Sequence, residues 1–134
     1  MTDAGATPVG RRPLTLVAAA ILVAIEGLIA VGYAAAEIGQ IRISRAVMGV
    51  GVAVLMACFG LLLLLVARGV YLGRRWSRGP AVATQLILLP VAWSFWGGAT
   101  TWVSITLAVL AIAVLVGVLH PRSTAAFVGP TARG

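Results

Sequence analysis

Glu26 is the residue whose type and setting most invite chemistry in this sequence. It stands inside the apolar run from Leu14 to Ala36, whereas the other two acids, Asp3 and Glu37, lie outside the apolar stretches. An ionised carboxylate in hydrocarbon costs at least about 2.5–3.5 kcal/mol. The side chain is therefore carried neutral or held by a polar partner. Such a carboxyl serves one of two ends. It carries a proton or binds a cation, or it fastens one helix to another by a hydrogen bond, whose measured worth inside membranes is modest. By depth the expected partners are Trp93 and Ser94, through the indole N–H and the hydroxyl. Gln85, about one turn before Pro90, adds a polar side chain able to rotate inward. No second acid and no basic residue shares this depth, which weighs toward fastening.

The second concentration of chemistry is basic. The stretch RGVYLGRRWSRG (68–79) holds Arg68, Arg74, Arg75 and Arg78 with Trp76 among them. Such a loop grips anionic lipid headgroups at about 1 kcal/mol per basic residue near the surface, and it also sets topology. Other chemistry has little footing. The single Cys58 makes neither an intrachain disulfide nor a multi-cysteine metal site, and His120 has no Cys or His neighbour to suggest zinc. There is no nucleophile beside a base, no Gly-rich phosphate loop and no pair of carboxylates at one site. The expectation is a protein that is not an enzyme and carries no metal or cofactor. Exposed Glu37 and Arg42 are expected to pair, a contact worth about 0–1 kcal/mol.

The elements that must position these residues are apolar runs. Of 134 residues 61% are hydrophobic and only 10% charged, against about a quarter charged in soluble domains. That excludes a soluble domain and a disordered chain. Four runs stand out, at about 14–36, 46–67, 80–97 and 101–119. The first, 23 residues long, makes about 35 Å of helix, enough for a hydrocarbon core of about 30 Å. No strand-like alternation is present, and in lipid only helices and closed barrels satisfy the backbone. The expected fold is an all-α, four-helix transmembrane bundle over residues 14–119, with polar tails at 1–13 and 120–134. Arg11-Arg12 followed by an apolar run and Ala34-Ala35-Ala36 imitates a secretory signal, but the run exceeds a signal core and Glu26 interrupts it, so it reads as a span.

All ten basic residues are Arg. With the N-terminus inside, eight of them (Arg11, Arg12, Arg68, Arg74, Arg75, Arg78, Arg122, Arg133) are cytoplasmic, and only Arg42 and Arg45 are outside. This is a strong positive-inside pattern. It places both termini in the cytoplasm of a multi-pass plasma-membrane protein. Trp96, Trp102 and Tyr33 then mark the outer interface, and Tyr71 and Trp76 the inner one. Because the arginines flank apolar runs, the net charge of +7 and pI near 11.6 do not point to nucleic acid. Pro80 suits a first helical turn. Pro90 frees the carbonyl of Leu86 and predicts a kink. Gly49, Ala53 and Ala57 are spaced by four on the second run, and Gly69 and Gly73 repeat that spacing, which suits close helix packing or self-association.

The segment AIEGLIAVGY (24–33), together with RGVYLGRRWSRGPAVATQLILLPVAW (68–93), resembles a group of small actinobacterial integral membrane proteins over spans one to three. The resemblance implies a four-span protein and no catalytic residues. Glu26 also matches the span-one acid of the small multidrug resistance exporters, which are similar in length. The residues around it (VAIEGLIA) do not reproduce that family's signature, and the charge bias here is stronger. The functional expectation is lateral contact with the lipid bilayer, with another integral membrane protein or with a second copy. The alternative is a small proton-coupled transporter or channel using Glu26.

Overall fold

The computed structural model describes residues 12–40 and 42–128. Among them there are five α-helices and no strand: α1 (Leu14–Gly39), α2 (Ala46–Tyr71), α3 (Arg75–Ser94), α4 (Thr101–Leu119) and α5 (Pro121–Val128). Short 3-10 turns at Ile43–Arg45 and Gly98–Thr100 lead into α2 and α4. Connections this short make sequential helices antiparallel neighbours. α1 packs on α2 and α4, and α3 packs on the same two, so α1 and α3 stand diagonally across a four-cornered bundle.

Among the described residues three segments are long and apolar enough to cross a membrane: Leu14–Gly39, Ile43–Tyr71 and Gly98–Leu119. The fourth expected span does not reach that standard. α3 starts at Arg75, five residues before Pro80, and takes Arg75 and Arg78 into its first turns. It also buries Ser77, Thr84 and Gln85, so its apolar content falls below that of the others. α3 runs on through both Pro80 and Pro90 to Ser94.

The pairing of α1 with α2 rests on small residues repeated every seven positions. Ala20, Gly27 and Ala34 are buried on α1, and Ala53, Gly60 and Ala67 on α2. Gly27 and Gly60 meet at the centre. A Cβ on Gly60 would lie 2.7 Å from the Gly27 carbonyl oxygen, and one on Gly27 would lie 2.9 Å from that of Gly60. This antiparallel register sets Ala20 opposite Ala67 and Ala34 opposite Ala53. A seven-residue period matches the gentle left-handed crossing of most helix bundles. Spacing by four had pointed to Gly49, Ala53 and Ala57; of these only Ala53 is fully buried. α4 approaches α1 in the same way, since a Cβ on Gly117 would fall 2.9 Å from Ala19 Cβ.

Gly73 has a different task from packing. Its φ is +66°, and it ends α2 by donating its N–H to Val70, while Arg74 donates to the Gly69 carbonyl. This is the Schellman arrangement, in which glycine tolerates the left-handed position. Beyond α4, the expected polar tail is partly helix. Pro121 opens α5 at the position where its missing N–H costs nothing, and the ring Nδ1 of His120 accepts the N–H of Arg122 at 3.3 Å. Ser123 and Phe127, four apart, turn inward and are buried. Ser123 is hydrogen bonded to Thr15 of α1 at 2.8 Å.

The core lies toward this α5 end. Leu16 and Val23 of α1, Leu63 and Val66 of α2, Ala81 of α3, Val114 and Val118 of α4, and Phe127 belong to one cluster. Past the level of Glu26, toward the opposite end, only Ala34, Ala53, Ala92 and Ser104 are buried among the described residues. There the aromatic residues face outward: Trp93 and Trp96 stack at 6.0 Å, and both are exposed, as are Tyr33 and Trp102.

Candidate functional site

Glu26 and Gln85 come together across the diagonal of the bundle. Glu26 is 9% exposed and Gln85 0%, and Gln85 Nε2 donates to Glu26 Oε2 at 2.9 Å. They sit at the inner limit of the packed half, beside the Gly27–Gly60 contact. The helices put them there for a simple reason: each lies near the middle of its own helix, α1 or α3. The remaining oxygen of each side chain, Glu26 Oε1 and Gln85 Oε1, is buried with no partner. A neutral carboxyl has one O–H to donate, and the amide oxygen is an acceptor on the same neighbouring side chain that lacks a donor. The pair can thus hold one proton and fasten α1 to α3 at once.

Trp93 and Ser94 are not partners of Glu26, contrary to the expectation from depth. Trp93 is 74% exposed, and Ser94 donates its hydroxyl to the carbonyl of Val91 within its own helix. The cause is the early start of α3. With the helix beginning at Arg75, the level of Glu26 falls at Gln85, and Trp93 lies about 12 Å further along the axis.

The basic stretch divides into separate roles. Arg75 donates from Nε to the carbonyl of Phe127 at 3.1 Å and from Nη2 to that of Val128. It thereby satisfies the last carbonyls of α5, where a cation also suits the helix dipole. Arg75 is engaged within the protein rather than turned to headgroups. Arg78 lines a shallow hollow with Arg75, Phe127 and Val128. Arg68 and Arg74, by contrast, share a cleft of about 260 Å³ with Leu65, Gly69, Leu72 and Trp76. Gly69 lets α3 come in close, since a Cβ there would meet Ser77 Cβ at 2.6 Å and the Trp76 ring at 3.0 Å. Arg12 lies over the Tyr71 ring, 4.3 Å from its centre. At the other end Glu37 and Arg42 line a groove with Tyr33, Gln40 and Arg45.

Sequence reasoning missed the Arg75 clamp and the docking of α5. The signal was present in Pro121 followed by inward-spaced Ser123 and Phe127. Comparison with protein-family models, with curated proteins and with solved structures finds no match.

Proposed function

We propose that this chain is a four-span protein of the plasma membrane with both termini cytoplasmic, of the kind its resemblance to small actinobacterial membrane proteins implies. It acts without catalysis, by lateral contact with lipid or with another membrane protein. For α3 as the fourth span, the support is its 20 residues, about 30 Å of helix, with its two arginines, Arg75 and Arg78, confined to the first turns and away from the middle of the helix. For the orientation, it is the eight-to-two division of arginines between the two sides.

The observation that carries the contact reading is the Gln85–Glu26 hydrogen bond. Glu26 and Gln85 in the bundle's interior are turned to each other, and Ser77 and Thr84 bond carbonyls of their own chain segment, while large apolar side chains such as Ile29, Leu62, Leu86 and Val109 are exposed along the outside. What a partner meets is therefore the lateral face and the arginine turn. The second reading, proton-coupled transport through Glu26, draws on the one carboxyl oxygen that has no partner.

A photocrosslinker at position 62 or 109, activated in native membranes, tests the proposal. The expected result is a discrete adduct with one lipid class or one membrane protein, identified by mass and unchanged by Glu26→Gln. In proteoliposomes, pH-driven flux abolished by Glu26→Gln would replace this function with transport.

A further inference from the structure

We propose that the cleft between the last turn of α2 and the first turn of α3 binds the headgroup of an anionic phospholipid. Arg68 and Arg74 hold the phosphate, and Leu65, Leu72 and Trp76 lie along the glycerol and the first acyl carbons. The inference deepens the lipid arm of the proposed function and rests on this end of the bundle lying in the headgroup layer.

Three features single out the cleft. The first is charge without a counter-charge. Among the described residues no acidic side chain lines it; Glu26 lies mid-bundle and Glu37 at the opposite end. The groove at that opposite end differs, because Glu37 stands in it beside Arg42 and Arg45. None of the described acidic residues supplies an anion to Arg68 and Arg74. Planar guanidinium groups suit the paired oxygens of a phosphate.

The second feature is the wall. Leu65, Leu72 and Trp76 are each about half exposed, an apolar surface continuous with the lipid-facing side of α2. At about 260 Å³ the cleft suits a phosphate and its glycerol carbons, and the acyl chains continue along Leu65. A free phosphate would leave these residues unused. The third feature is rigidity. The Gly73 turn with its two backbone hydrogen bonds and the close seat of Trp76 on Gly69 hold Arg68 and Arg74 on fixed backbones. Arg75, one residue along, is occupied by α5, so it does not compete for the headgroup.

The test uses the full chain in detergent micelles, with bound phosphatidylglycerol and phosphatidylcholine followed by native mass spectrometry. The unaltered protein is expected to retain phosphatidylglycerol selectively. Arg68→Gln with Arg74→Gln is expected to weaken it about fivefold per arginine removed, the attraction of one basic side chain near an anionic surface. Arg42→Gln with Arg45→Gln, which removes equal charge at the other end, is expected to change it less than twofold. Equal loss in both double variants would reduce the effect to net charge and overturn the site. So would full displacement of the lipid by soluble glycerol phosphate, which would make the cleft a free-anion site. Selective retention that survives the Arg68/Arg74 change would also overturn the cleft while leaving lipid contact standing elsewhere on the chain. Lack of selectivity in the unaltered chain overturns the site without any variant having to fold.

Discussion

Replacing Gly60 by alanine should loosen the α1–α2 pair at the level of Glu26, and the structure sets the scale. The added Cβ would lie 2.7 Å from the Gly27 carbonyl oxygen, 2.7 Å from Val31 Cγ2 and 2.9 Å from the Val31 nitrogen. Two of these three neighbours are backbone, and Val31 is a β-branched side chain with little freedom to turn away in a helix. Ordinary contact begins near 3.4 Å, so α1 and α2 must separate by about 0.7 Å here. A gap of that size forfeits a quarter to a half of each contact's attraction, and overpacking of this kind costs about 1–3 kcal/mol. Gly51, on the same helix, has nothing within 4 Å of its added Cβ, so Gly51→Ala should be neutral or stabilising by up to about 1 kcal/mol through helix propensity. Reversible unfolding in mixed micelles, with increasing mole fraction of a denaturing detergent and helicity as the signal, measures both. Equal stability of the two variants would refute the close contact of α1 with α2, and with it the register that places Glu26 beside α3.

Other perturbations address the site and its surroundings. Infrared spectroscopy at neutral pH should find the carboxyl stretch of a neutral acid that disappears in Glu26→Gln; a band for an ionised side chain would defeat the neutral pair. Gln85→Leu removes the donor to Glu26 and should cost about 1–2 kcal/mol in the same unfolding assay, whereas Glu26→Gln, which can still bond an amide, should cost less than about 1 kcal/mol. Phe127→Ala or Arg75→Gln should release α5 and raise amide exchange across residues 121–128 while the four long helices stay protected; unchanged exchange would mean that α5 is not held by these contacts. A reporter fused after residue 75 should read as cytoplasmic, and an external reading would reverse the orientation.

The apolar runs by themselves pointed to a helical chain of four spans, because in hydrocarbon only helices and closed barrels satisfy the backbone and no strand-like alternation is present; among the described residues the structure has three segments long and apolar enough to cross a membrane. They also marked Glu26, since a lone carboxyl in such a run is costly wherever it points. Gln85 was legible as a polar residue able to turn inward, but not as the partner. That depended on where α3 begins, and Pro80 misled because a proline near a helix start does not say which turn it occupies. The division among the arginines was likewise invisible. Arg75 differs from Arg68 and Arg74 only because Phe127 and Val128, some fifty residues away in sequence, bring free carbonyls to it. The seven-residue repeat of small side chains was present in the sequence of both α1 and α2, yet any Ala- and Gly-rich helix offers several such spacings. Helical periodicity specifies which residues share a face, and only packing decides which face is used. The tertiary structure made that choice at Gly27 and Gly60, where two backbones touch and neither position has room for a side chain.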